Sequence, residues 1–240
     1  MHILILGYGK MGKIIAEIAE SRGHTIVGRI NIENIGDLDT LDPLQIDVAI
    51  EFSEPAAAFD NLTWAINHNI PVISGTTGWL EKKPNIEQLA LTKGGTFFYA
   101  SNYSIGVNIF FKLNRFLAKI MDGQTEYSIK LEEIHHTEKK DAPSGTAITL
   151  AEGIIDKISR IKRWKLANEM DDSEQTLPIT SIREDPAPGT HTVRYQSEID
   201  DIEIKHTAHS RKGFALGAVL VAEWIKDKKG VLSMEDFLSF

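Results

Sequence analysis

Cysteine is absent from the 240 residues, which excludes disulfides and thiolate metal sites and suits a reducing, cytoplasmic compartment. An excess of positive charge is absent too. With 26 Lys and Arg against 34 Asp and Glu, the formal net charge is −8. That argues against a nucleic-acid partner, although a local basic site can still hold an acidic small molecule. No hydrophobic run is long enough to span a membrane. The apolar start at His2 to Leu6 breaks at once into a glycine turn and has no signal-peptide layout. Repeats and low-complexity tracts are missing as well. What is there is an ordinary globular composition, 42% hydrophobic and 25% charged, with room for one large or two modest domains.

His2-Ile3-Leu4-Ile5-Leu6 reads as a buried strand, and Gly7-Tyr8-Gly9-Lys10-Met11-Gly12 follows it directly. G-x-G-x-x-G between a strand and a helix is the context the dinucleotide fingerprint requires. The first glycine permits the tight turn, the second lets backbone approach a pyrophosphate, and the third lets the helix pack on the strand. The helix is predicted from about Lys10 to Arg22, with Met11, Ile14, Ile15, Ile18 and Ala19 on one face and Gly23 as its stop. Thr25 to Ile30 reads as a second strand. An acid for the adenosine ribose is expected near its end. Asn31 stands there instead, with Glu33 two residues on, so NADH and NADPH are not separated. Arg29 favours a 2′-phosphate on one reading and is a solvated edge residue on the other.

Asp47 to Phe52 is a third strand, followed by Ser53 as N-cap, Pro55 in the first turn and a helix to about His68. Ile70 to Ile73 and Thr96 to Ala100 are the fourth and fifth strands. Strands alternating with helices imply an α/β fold: a Rossmann-type parallel sheet covered on both faces, with ligands at the carboxyl ends of its strands. The loops Gly75-Thr76-Thr77-Gly78 and Ala100-Ser101-Asn102-Tyr103 fall at those ends and are candidate cofactor contacts. After Ser104 the pattern changes. A helix is predicted from Val107 to Met121 and a half-exposed strand from Glu126 to Ile134. A helix follows from about Thr146 to Ile158, then a polar loop from Arg160 to Gln175. Strands are predicted near Ile179 to Arg183, His191 to Gln196 and Ile202 to Thr207. This is an α+β region with an antiparallel or mixed sheet. A last helix, Phe214 to Lys226, is expected to return to the nucleotide domain. The assignment is residues 1–104 with 212–240 as the dinucleotide-binding domain and 105–211 as the domain for substrate and oligomerisation.

The segment from Glu132 to Thr146 concentrates chemistry. It holds His135 and His136, Lys139 and Lys140, and then Ser144-Gly145-Thr146 at a predicted helix start. Imidazole moves protons near neutral pH, and helix N-terminal amides attract an anion. Together they suit a small acidic substrate. Pro143 opposes helix just before it, so Lys139 to Pro143 is a loop. Asp141 is placed to orient a lysine or a backbone amide, and Ser144 to cap the helix. A metal held by His135 and His136 with Glu132 or Glu133 is disfavoured, because adjacent residues of a strand point to opposite faces. His206, His209 and Arg211 lie before the last helix, where Arg211 is either a ligand contact or a surface cation.

Four stretches give the chain a resemblance. They are Gly7 to Gly12, Gly75 to Gly78, Ala100 to Asn108, and Glu133 to His136 continuing through Lys139 to Ala147. In that order they resemble the 4-hydroxy-tetrahydrodipicolinate reductase (dihydrodipicolinate reductase) family of the diaminopimelate route to lysine, and Phe214 to Ala218 resembles its C-terminal helix. The resemblance implies reduction of a cyclic imine dicarboxylate by hydride from NADH or NADPH, in a protein usually assembled as a homotetramer. It implies that His135 and Lys139 are proton donors and that His136, Gly145 and Thr146 hold the substrate. The cofactor would be held by the fingerprint, by Gly75, Thr76 and Thr77, and by Ala100, Ser101, Asn102 and Tyr103. Two features depart from the family pattern. The glycine loop is one residue shorter than in some members, with Lys10 in place of arginine, and no ribose-binding acid is evident. Two alternatives stand beside this reading: another dehydrogenase of small amino or imino acids, and a nucleotide-binding redox sensor. The Lys139 to Thr146 pattern disfavours the first, and the clustered proton donors disfavour the second.

Overall fold

A computed structural model describes residues 1–169, 173–210 and 212–239. The chain divides into two compact units, Met1–Ile105 with Lys212–Phe240, and Gly106–Arg211. The first unit opens with β1 (His2–Leu6), α1 (Lys10–Ser21) and β2 (Thr25–Ile30). After a kinked 3₁₀ stretch (Ile32–Thr40) and a short 3₁₀ turn (Pro43–Gln45) come β3 (Val48–Glu51), α2 (Pro55–Asn67), β4 (Val72–Ser74), α3 (Lys83–Lys93) and β5 (Thr96–Tyr99). α4 (Ile105–Met121) leads into the second unit, which contains β6 (Ser128–His135), α5 (Gly145–Ile155), β7 (Arg163–Leu166), β8 (Thr176–Arg183), β9 (Gly189–Gln196) and β10 (Asp201–Ala208). The chain then returns to the first unit with α6 (Lys212–Ile225), β11 (Gly230–Leu232) and α7 (Met234–Leu238).

The first sheet runs β11-β5-β4-β3-β1-β2, every pair parallel. Its inner strands are buried on both faces, so their side chains divide between two cores. Ile3, Ile5, Val48, Ile50 and Phe98 pack with Ile15, Ala19, Val219 and Ala222 of α1 and α6. Leu4, Leu6, Ala49, Val72 and Phe97 pack with Leu62, Ile66 and Ile86 of α2 and α3. Burying each Val, Leu, Ile or Phe contributes about 1.5–3 kcal/mol relative to exposing it, which is why these strands read as unbroken apolar runs.

The second sheet has the order β10-β9-β6-β8-β7 and is mixed. Its centre, β6, pairs antiparallel with β9 and parallel with β8. Ile129 and Leu131 of β6 are buried with Phe110 and Ala118 of α4 and Leu150 and Ile154 of α5. The same face of β6 continues through Glu133 to His135, both buried. The stripe thus changes from apolar to polar as the strand ends, and that change places the site. Residues 160–175, expected as a loop, are corrected by β7 and a 3₁₀ turn at Ala167–Glu169. β7 pairs parallel with β8 from Arg163↔Thr176 to Leu166↔Ile179. It is a four-residue edge strand carrying Arg163 and Lys165, with no apolar run to announce it. The part of that loop at residues 170–172 lies outside the described residues. Among the described residues no helix is long and apolar enough to cross a membrane.

Candidate functional site

The fingerprint loop closes as its glycines require. Gly7 has φ +102°, and a Cβ there would lie 2.2 Å from the Phe52 carbonyl oxygen. A Cβ on Gly12 would lie 2.1 Å from the Gly7 oxygen, whereas one on Gly9 would meet nothing within 4 Å. Gly9 is thus the open side of the turn. It is also the N-cap of α1 and offers no side-chain hydrogen bond, so the first-turn amides have no side-chain cap at the positive end of the helix dipole. That arrangement fits a pyrophosphate. A cavity of about 300 Å³ opens beside it, lined by Gly7, Tyr8, Gly9, Asn31, Ile35 and Ser53 among others. A second, of about 230 Å³, is lined by Met11, Phe52, Ser53, Pro55, Gly75, Thr76 and Thr77.

The individual residues differ in how they meet these cavities. Tyr8 lies under the Arg29 guanidinium at 5.7 Å from the ring centre, and Arg29 is paired with Glu20 at 2.5 Å. Asn31 lines the first cavity, but its Oδ1 already accepts from the amides of Glu33 at 2.8 Å and Asn34 at 3.2 Å. Lys10 and Ser101 are exposed and Met11 is half-buried. Asn102 Oδ1 accepts from Ser104 N–H. Ala100 and Tyr103 are buried; the Tyr103 hydroxyl donates to the Ser74 carbonyl at 2.8 Å, and its ring packs 5.4 Å from Phe52. Beneath the second cavity lies Glu51, fully buried at the end of β3. Its carboxylate accepts from Ser53 N–H (2.9 Å), Ser53 Oγ (2.5 Å), Ser74 Oγ (2.6 Å) and Thr76 Oγ1 (2.7 Å). Sequence reasoning did not single out Glu51. The available signal was a lone acid inside a buried strand.

The second unit gathers the other candidates at the end of β6. Ser144 caps α5, its Oγ accepting from Ala147 N–H at 3.2 Å. Its own N–H is 3.1 Å from both oxygens of Glu133. Gly145 is exposed and Thr146 half-buried, so the helix start is open to a ligand. Lys139 Nζ sits 2.8 Å from both carboxylate oxygens of Asp141, the partner expected of that acid. His136 is half-buried and donates its N–H to the Ala187 carbonyl at 2.8 Å. Four functional neighbours were not read from the sequence: Glu133 in this role, Ser181, Arg183 and His191. Ser181 Oγ donates to Glu133 at 2.9 Å and Arg183 Nη2 lies 3.3 Å from it. His191 Nε2 is 3.1 Å from Ser144 Oγ and 3.6 Å from Glu133. The ring of His206 stacks 6.0 Å from Phe110, and His209 is exposed. Arg211 lies outside the described residues.

Electrostatics set the protonation of this cluster. Burial raises the proton affinity of Glu133, but the neighbouring His191 imidazole and hydrogen bonds from Ser144 and Ser181 outweigh it, and the carboxyl is held well below its usual range. Burial pushes His135 down to about 4; Glu133 pulls the other way, while His191, Lys139 and Arg183 add to the fall. The resting imidazole is therefore neutral at pH 7. Glu133, His135 and His191 also offer three donor atoms within 4.8 Å of one another. In this chain Arg183 already sets a positive charge against that carboxylate, and Ser144 and Ser181 occupy its lone pairs. The exposed start of α5 beside the paired Lys139 and Asp141 can take an anionic group.

Residues 1–103 match the family model described as dihydrodipicolinate reductase, N-terminus, and residues 106–238 match dihydrodipicolinate reductase, C-terminus. A 4-hydroxy-tetrahydrodipicolinate reductase from Christiangramia forsetii is 52% identical over 239 residues, covering 100% of this chain and 98% of that protein. One from Methanosarcina acetivorans is 37% identical over 234 residues, 96% of this chain and 86% of that protein. Among solved structures, a dipicolinate-bound dihydrodipicolinate reductase from Paenisporosarcina sp. TG-14 shares the fold. Its TM-score is 0.82 at 21% identity, over 99% of each chain.

Proposed function

The chain belongs to the dihydrodipicolinate reductase family, and from that membership we propose how its residues divide the work. The activity is that of a 4-hydroxy-tetrahydrodipicolinate reductase, an NAD(P)H-dependent oxidoreductase of diaminopimelate and lysine biosynthesis. The observation that carries it is the 52% identity to such a reductase along the whole chain. The first unit binds the nucleotide. Its pyrophosphate lies on the uncapped start of α1 at Gly9 to Gly12, its adenosine in the cavity by Tyr8 and Asn31, and its nicotinamide end near Gly75 to Thr77. Ala100, Ser101 and Asn102 belong to the same end, with Tyr103 supporting it from the core. Bound there, the nicotinamide supplies the hydride, and NADH and NADPH both suit this reading. The second unit binds the dicarboxylate. One carboxylate docks on the amides of Gly145 and Thr146 at the helix start that Ser144 caps, and His136 holds the other.

Hydride delivery leaves negative charge on the ring, and a positioned acid must quench it. Lys139 Nζ, held by Asp141 at 2.8 Å, is the resident ammonium and donates the proton. His135, neutral at rest, gains a proton as the dianionic substrate arrives, because nearby negative charge favours the imidazolium; it then shares the donor role. We place the reaction in the cytoplasm and the enzyme in a homotetramer. An exposed apolar row on α4, comprising Ile109, Leu113, Phe116 and Ile120, supports association. The test mixes purified protein with NADH or NADPH and freshly made substrate while nicotinamide absorbance is followed. Substrate-dependent oxidation is expected, with none when a 2-oxo acid with ammonium replaces the substrate. Absence of turnover with both nucleotides would overturn the reading.

A further inference from the structure

We propose that Glu133 is a positioning residue that fixes His135, the Lys139 to Asp141 loop and the first turn of α5 from a single buried carboxylate; this rests on the site reading above. Glu133 is fully buried at the end of β6, on the same face as His135, whose Nδ1 lies 3.4 Å from its Oε2, a charge contact without a hydrogen bond. The register of β6 on β8 sets Ser181 directly opposite Glu133, and the Ser181 hydroxyl donates to it at 2.9 Å. Arg183, two residues further along β8, approaches the same oxygen with Nη2 at 3.3 Å. That guanidinium also donates to the carbonyls of Asp141 at 2.6 Å and Lys139 at 3.3 Å. At the other end of the loop, the Ser144 N–H reaches both carboxylate oxygens at 3.1 Å. The segment from Lys139 to Ser144 is therefore tied to Glu133 at both ends, through Arg183 at one and directly at the other. His191 completes the ring of contacts, 3.6 Å from Glu133 and 3.1 Å from Ser144 Oγ.

Packing alone does not call for this arrangement. Well-packed apolar residues often serve stability as well as a buried ion pair does, or better. What an apolar residue lacks is the ability to set three backbone segments at once. It also lacks a negative charge beside His135, which favours the imidazolium that burial opposes. Glu133 acts through its partners.

The test compares wild type with Glu133→Gln, which keeps the side chain's size and removes its charge. Dipicolinate affinity is measured by titration calorimetry, NADH affinity by fluorescence, turnover by nicotinamide absorbance, and the His135 titration by NMR. A loss of at least tenfold in dipicolinate affinity and at least thirtyfold in kcat is expected, with NADH affinity within twofold. The His135 midpoint is expected to move to lower pH, a change that a packing role would not produce. Dipicolinate affinity within twofold and turnover within threefold of wild type would overturn the inference. If Glu133→Gln does not fold, Arg183→Lys carries the test. It keeps the positive charge but cannot reach both carbonyls and the carboxylate. A tenfold fall in kcat at unchanged NADH affinity is expected, and wild-type kcat would overturn the inference. Should wild type neither bind dipicolinate nor turn over, the functional reading fails. The NMR shift of His135 then still decides whether Glu133 sets its state.

Discussion

At the scale of the residue, His135 has a consequence that can be measured without any substrate. The unfolded chain protonates this imidazole below its ordinary value of 6.5, while the folded chain does so only near 4. Acidification between those limits therefore adds a proton to the unfolded state that the native state refuses, and stability falls with pH across that window. Below 4.5, the ordinary value for glutamate, Glu133 works in the same direction, because its carboxyl is depressed in the native state. The thermal midpoint of the wild type is expected to drop from pH 6.5 to pH 4, and His135→Asn is expected to flatten that drop. A wild-type midpoint that is constant over this range would refute the assignment of a neutral buried imidazole. Lys139 yields a kinetic counterpart. Lys139→Ala removes the resident acid, and kcat is expected to fall by roughly 10²- to 10⁴-fold while NADH affinity holds. Stopped-flow turnover beside a fluorescence titration checks both.

At the scale of the element, Gly12 shows how a helix is held to its strand. A Cβ 2.1 Å from the Gly7 oxygen has nowhere to go, so Gly12→Ala must push α1 off β1. A stability loss of about 1–3 kcal/mol is expected from such overpacking, together with weaker NADH binding, read by denaturant unfolding and fluorescence. The elements with a strong local period were legible in the sequence: β1 with its glycine turn, α1, β3, α4 and β6. So was the loop from Lys139 to Ser144, because Pro143 and the cap at Ser144 announce it. β7 was not legible, since one exposed and three half-buried residues at an edge carry no pattern. The carboxylate anchors were not legible for a different reason. Glu51 finds Ser74 and Thr76, and Glu133 finds Ser181, Arg183 and His191, only after separate strands align. The partners lie 23 to 58 positions away in sequence: Ser74 23 from Glu51, Ser181 48 from Glu133, and His191 furthest. Alternation along β6 does put Glu133 on the buried face with Ile129 and Leu131, and that was the one trace of its role. Asn31, read as a stand-in for a ribose-binding acid, lines the first cavity and also caps the turn that follows β2.

At the scale of the whole molecule, association is the property most open to measurement. Light scattering is expected to give roughly four times the 26.8 kDa chain mass; a monomer at micromolar concentration would remove the tetramer from the proposal. The first unit has a second property of this kind, because its sheet is finished by distant chain. β11 joins β5 through Gly230 N–H to the Gly95 carbonyl at 2.9 Å, and Thr96 Oγ1 reaches the Lys228 carbonyl 132 positions away. α6 brings Ala215, Ala218, Val219, Val221, Ala222 and Ile225 to the core that covers Ile3 and Ile50. On the ribosome, then, the nucleotide-binding half emerges early and stays raw on one flank until translation has passed residue 232. Such late closure exposes apolar surface in the meantime, so a chain stopped between β5 and α6 is expected to leave the Ile3 and Ile50 flank without the cover that α6 supplies and to aggregate rather than persist as a usable half.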